Sequence, residues 1–198
     1  MNATMRENES VAPYAANPAQ IGRTLKMWRA LRRVKQVHAA ELFGVSQTTI
    51  SRWESGAQGV EEDRRAAIMR VLEARLDSAA DRQLAMLVAR SNAPIHLVCD
   101  LTHRLLALSP RRARDCKVAA ATLIGASLWP HASESIIALE RDLPDLGWLE
   151  PAPPVVEGAT GPNASDMLVI RPSRFRYTRF QLSSGGHARL VETIEADD

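Results

Sequence analysis

Four side chains in the stretch GVSQTTISRWESG, residues 44–56, are suited to reading hydrogen-bond patterns. Gln47 can donate and accept at once, as an adenine edge requires, and Arg52 can donate two parallel bonds to guanine. Thr48 and Ser51 add hydroxyls that suit base edges or phosphate oxygens, and Thr49 adds another. All these residues except Gln47 and Arg52 are indifferent helix formers. A helix built from them is selected for what it touches. Ile50 and Trp53 share the stretch and supply apolar anchors for its opposite side.

Residues that could do covalent or metal chemistry do not assemble elsewhere in the sequence. His96, His103, His131 and His187 are scattered without ligand spacing. His131, beside Trp129-Pro130, reads as a surface or cap histidine rather than a haem ligand. Cys99 falls in an apolar run, where cysteine behaves as a small hydrophobe, and Cys116 stands apart from it. Both read as reduced thiols. Lys117 is the only lysine after Lys35, and no nucleophile motif surrounds it, which speaks against a self-cleaving Ser-Lys peptidase. The expectation is a protein that is not an enzyme, with no catalytic residues, no metal site and no cofactor.

Charge is divided unevenly along the 198 residues. From residue 19 to 76 there are eleven Lys or Arg against six Asp or Glu; from 77 onward there are thirteen against fifteen. Only the first part is a candidate for meeting a polyanion. No apolar run approaches the ~20 residues that span a bilayer. The longest, residues 118–129, is interrupted by Thr122, Gly125 and Ser127. The N-terminus lacks a secretory pattern. The expected location is therefore the cytoplasm, with no membrane partner.

The pattern divides the chain into a disordered tail (1–18), an all-α domain (19–76), a connector helix (77–92) and an α+β domain (93–198). Ile21, Leu25, Trp28 and Leu31 mark an amphipathic first helix over 19–33. A short second helix over 35–43 has Ala39, Ala40, Leu42 and Phe43 as its apolar side. Gly44 ends it in the left-handed conformation, and Ser46 caps a third helix that runs from Gln47 to Glu54. Two helices joined by a three-residue turn containing Gly form a helix-turn-helix. Residues 61–91, free of Gly and Pro, predict one long helix, or two with a break near Asp77–Ser78. Its stripe Ile68, Leu72, Leu76, Ala79, Gln83, Met86, Leu87 suits packing on its own domain in the first half and a dimer seam in the second.

Beyond Pro94 the period changes. Segments 95–101 and 104–109 predict a hairpin. Helices are expected from Pro110, over 124–129 and over 133–143, followed by a strand and loop over 153–166. MLVIRP, RFRYTRFQL and HARLVETI predict three antiparallel strands, the last two joined at Gly185-Gly186. The apolar residues Leu97, Cys99, Leu105, Ala107, Leu123, Leu128, Trp129, Ile136 and Trp148 read as an ordinary core.

IGRTLKMWRALRR, followed by VKQ and AAELFGVSQTTISRWESG, closely resembles the DNA-binding domain of the lambda-repressor/Cro-like (Xre-type) helix-turn-helix family. The resemblance implies a five-helix, all-α domain whose third helix enters the major groove of double-stranded DNA. It implies that Gln36 meets a phosphate at the start of the second helix, that Ile50 packs inward, and that Glu54 pairs with Arg29. It extends the DNA-contacting set to Lys35, Gln36, Ser46, Gln47, Thr48, Thr49, Ser51 and Arg52. Two residues depart from the family pattern. Lys35 replaces the usual Thr cap and Arg33 the usual glycine, which predicts a slightly altered turn.

IHLVCDLTHRLLALSPRRAR, and YTRF followed by GG and HARLVETI, resemble the opening and closing strands of a PAS-like domain. The combined expectation is a transcriptional regulator that binds a palindromic operator as a homodimer. Its C-terminal domain would dimerise and sense a small-molecule effector. The rival reading is a protein-interaction or antitoxin-type module using the helix-turn-helix as a protein-binding surface. That surface would be expected to be more apolar than Gln47, Thr48 and Arg52 make it.

Overall fold

A computed structural model describes residues 18–196, and all of the expected tail over 1–18 except Pro18 lies outside them. Helix α1 spans Pro18–Arg32, α2 Gln36–Phe43, α3 Gln47–Ser55, α4 Glu62–Leu72 and α5 Ala79–Ala89. The first helix thus includes Pro18, one residue before the expected domain boundary. Ile21, Leu25 and Trp28 of α1 meet Ala39, Ala40 and Phe43 of α2, Ile50 and Trp53 of α3, and Ile68 and Leu72 of α4 in one core. Leu42 corrects the expected apolar side of α2, since it is 56% exposed. The buried stripe of this short helix is completed by Phe43 instead.

Glycine decides how closely α1 and α3 approach. A Cβ on Gly22 would lie 1.9 Å from the Trp53 carbonyl oxygen, so the helices touch backbone to side-chain-free backbone. The turn from α1 to α2 has the opposite problem. Arg33 adopts φ 52, a left-handed conformation that a glycine would take without strain.

The break between α4 and α5 falls where the sequence allows two helices. Ser78 caps α5 by accepting from the Asp81 amide at 3.0 Å, and the Asp81 carboxylate accepts in turn from the Ser78 amide at 3.2 Å. This capping box restarts the chain at a new angle.

The second half is an antiparallel five-stranded sheet flanked by helices, the α+β arrangement expected. Strands β1 (Ile95–Cys99), β2 (Leu105–Leu108), β3 (Val156–Thr160), β4 (Ser173–Gln181) and β5 (His187–Ala196) lie in the order β2-β1-β5-β4-β3. Between β2 and β3 come α6 (Pro110–Ala113), α7 (Ala120–Leu123), a 3-10 turn at Trp129–His131 and α8 (Glu134–Asp142).

Two expected elements are corrected. Residues 124–128 are not helical: Gly125 takes φ 82, and bridges join Leu105 to Ile124 and Arg104 to Ser127 along the edge of β2. MLVIRP is not a strand of the sheet, and the third closing strand is β3. Asn163 captures that segment, donating to the Leu168 carbonyl at 2.9 Å and accepting from the Ile170 amide at 2.8 Å.

The sheet has a different neighbour on each face. Leu97 and Cys99 of β1, with their register partners Leu190 and Ala188 of β5, point toward the helical domain. His96 and Val98, with Val191 and Arg189, point the other way, toward a cavity. Helix α5 packs on β1 and β2, and its Val88 joins the core of the helical domain. Cys99 is fully buried at this junction, as its apolar setting predicts, and its Sγ accepts from the Ala74 amide at 3.2 Å. Arg32 donates to the Gly185 carbonyl, and Ser183 bonds Asp81.

Gly22→Ala should cost about 2–3 kcal/mol, the price of overpacking a tight contact. Arg33→Gly should stabilise by about 0.5–1 kcal/mol, the left-handed strain less the added chain entropy. Urea denaturation of both variants checks the opposite signs.

Candidate functional site

Helix α3 is positioned by the turn before it and a buried ion pair behind it. Gly44 sits at φ 63, ψ 41, and returns its amide to the Ala40 and Glu41 carbonyls. Ser46 then accepts from the Thr49 amide at 3.1 Å. Arg29 of α1 holds Glu54 of α3 with two parallel bonds of 2.5 and 2.6 Å, and also donates to the Val34 carbonyl at 2.8 Å. The pair expected between Arg29 and Glu54 is therefore present. Burial alone would raise the Glu54 carboxyl, but Arg29 and Gln36 outweigh it and hold its pKa below the usual range.

The expected contact residues divide into two groups. Gln47, Thr48, Ser51 and Arg52 are exposed on α3, while Ile50 and Trp53 are fully buried on its other side. The side chains of these four carry no hydrogen bond or ion pair among the described residues. Lys35 is also exposed, at the start of α2, and offers no side-chain cap to that helix.

Ser46, Thr49 and Gln36 are occupied within the domain. The Ser46 and Thr49 hydroxyls share a bond of 2.9 Å, and the Gln36 amide donates to Glu54 at 2.9 Å. The loss of a capping hydroxyl at Lys35 and the strained Arg33 both fall in the turn where an alteration is expected.

On the far side of the sheet lies a cavity of about 580 Å³. Its walls correct the ordinary-core reading of three residues, because Leu128, Trp129 and Ile136 line it. It also gathers His96 and His103 beside Arg189 and Tyr177, which are distant from them in sequence. Sequence reasoning missed this gathering; the alternation of HLV in β1 and ARLV in β5 was the signal available. His131 does not line the cavity and its Nδ1 bonds Ser165 at 2.9 Å.

Arg189 is fully buried at the cavity wall. It donates to Asp100 at 2.7 Å, to Glu140 of α8, and lies over the rings of Tyr177 and Trp148 at 4.5 and 5.1 Å. The Trp148 indole N–H donates to Asp100 at 3.1 Å, and His103 lies 3.3 Å from Glu140. Burial would raise the Glu140 carboxyl, but Arg189 and His103 override it and hold it at about 2. Burial also pushes the Tyr177 phenol upward, so it stays a neutral hydroxyl.

Residues 20–90 match the family described as Helix-turn-helix domain, a span that reaches from α1 to α5. No curated protein matches the chain. Among solved structures, the PAS domain of an HTR-like protein from Haloarcula marismortui is similar at 15% identity and a TM-score of 0.38. That likeness covers 59% of this chain and 96% of that one. An RNA-binding Light-Oxygen-Voltage receptor is similar at 11% identity and a TM-score of 0.40, covering 89% of this chain. The chain spans 59% of that receptor's length.

The Glu140 pKa falls on folding, so its stabilisation is full above the ordinary value of 4.5 and is lost as the pH drops toward about 2. Glu140→Gln should lower stability at pH 7 by about 3 kcal/mol, because it leaves Arg189 underpaired. Its stability should also vary less than that of the parent between pH 4.5 and 2. Denaturant titrations across that pH range test both statements.

Proposed function

We propose that the chain is a DNA-binding transcriptional regulator of the Xre/Cro-like type and not an enzyme. In this reading it acts in the cytoplasm on a palindromic operator as a homodimer, with the PAS-like domain dimerising and sensing a small-molecule effector. One observation carries the reading. Gln47, Thr48, Ser51 and Arg52 stand together on the exposed side of α3, with no competing partner among the described residues, while the opposite side is locked into the core.

Such a helix enters the major groove by its N-terminal part. There Gln47 suits adenine, Arg52 suits guanine, and the Thr48 and Ser51 hydroxyls complete the surface. The uncapped amide groups that open α2, with Lys35 beside them, suit a phosphate. Gln36 supports this site by holding Glu54, and Ser46 and Thr49 support it by starting α3 at a fixed angle.

Two reading heads double the small number of base contacts that one head supplies. Met86 and Leu87 on the outer side of α5, the latter 71% exposed, offer apolar surface for pairing two chains. The protein-binding alternative would place apolar residues on the exposed face of α3, where this chain has an amide, hydroxyls and a guanidinium. No helix among the described residues is long and apolar enough to cross a membrane.

Arg52→Ala should weaken operator binding by about 1–3 kcal/mol and relax the preference at one base pair, with the melting temperature unchanged. Binding-site selection followed by gel-shift titration checks this. An unaltered sequence preference in the variant rules out base reading by α3.

A further inference from the structure

The cavity beside the sheet has a chemical signature of its own. His96 lines it, is only 8% exposed, and its Nδ1 has no hydrogen-bond partner. An unpaired buried ring nitrogen in a well-packed wall calls for a partner that the protein itself does not supply. The charges nearest that ring are Arg112 and Arg189, and together with burial they hold it neutral. A neutral imidazole can present its N–H to an acceptor.

The positive charges around the cavity are not all balanced. Arg189 is matched by Asp100 and Glu140, and Arg112 by Asp115 at 2.8 Å. Arg111, Arg114 and Arg171 also line the cavity, and their side chains have no ion pair among the described residues. Val98, Ile136, Phe175 and Val191 supply an apolar part of the wall, Thr160, Ser173 and Thr193 add hydroxyls, and the two carboxylates present, Asp115 and Glu140, are those already paired with Arg112 and Arg189. A cation would be repelled at this site. A neutral hydrocarbon would leave both His96 and the arginines without a partner.

The geometry points to an organic carboxylate with an apolar body as the ligand class of this cavity, its carboxylate near His96 and the arginines and its body against the apolar wall. This rests on the sensing role proposed for the domain and names the chemistry that role would use. The volume is within the ~300–1,000 Å³ of small-molecule sites.

Three probes of matched shape separate the contributions: 4-phenylbutyrate, 4-phenylbutan-1-ol and 4-phenylbutylamine, titrated into the full chain and followed by calorimetry and by the histidine ring NMR signals. The carboxylate should bind at least about tenfold more tightly than the alcohol, with the amine weakest, and should shift the His96 ring signals. Replacing the exposed Arg114 and Arg171 together by Gln should remove most of the carboxylate's advantage and leave alcohol binding unchanged. Because both side chains lie at the surface, this variant retains the fold. Equal or tighter binding of the alcohol or amine, or a carboxylate advantage that survives the double variant, overturns the carboxylate assignment and leaves the sensing role standing. Binding by none of the three overturns both.

Discussion

Arg189 carries a charge in a place almost without water, and the second half of the chain is arranged to make that tolerable. A lone buried guanidinium would be prohibitively costly. Asp100 at the end of β1, Glu140 on α8, and the rings of Trp148 and Tyr177 enclose it, so one side chain on β5 ties together the sheet, a helix and the loop after it. Hydrophobic residues of similar volume could pack there at least as stably. What the ionic cluster adds is orientation, because the bonds to two carboxylates fix how α8 lies on the sheet and hence the shape of the cavity.

The helical domain uses the same device on a smaller scale. Arg29 reaches from α1 to Glu54 on α3, and Gln36 brings the start of α2 to the same carboxylate. Three helices thereby share one anchor. The exposed residues of α3 are free of internal duties because the inward residues carry them all. A polar face poor in helix formers is sustainable under that condition, since tertiary packing supplies most helical stability.

Local signals made the first domain legible in the sequence. Gly44, Ser46 and Gly56 mark turns and caps through their own backbone chemistry, and Ile50 and Trp53 declare the buried side of α3 by spacing alone. Leu42 misled because hydrophobicity does not say which side of a two-turn helix will be covered. In the second domain an apolar run identified β1, strict alternation identified β4, and the Gly185-Gly186 turn set off β5. The apolar run MLVIRP also suggested a strand, where a single side chain, Asn163, decides against the sheet. The cavity was the least legible feature. Leu128, Trp129 and Ile136 have the composition of core residues, and only the curvature of the assembled sheet and helices leaves space in front of them.

The residues of the sheet that face the helical domain belong to the same apolar cluster as Ile21, Trp53 and Leu72. The two domains are therefore separable in topology but joined in packing, and their junction passes through Cys99 and Ala74 rather than through a loose tether. This limits how the chain can be rearranged by engineering or by recombination. Grafting residues 18–92 onto another domain would strip Val88 and Leu72 of part of their cover, while the sheet left behind would turn Leu97, Leu182 and Leu190 to water. The helix-turn-helix is a modular motif embedded in a non-modular protein: its partner can be exchanged only together with the surface that meets it.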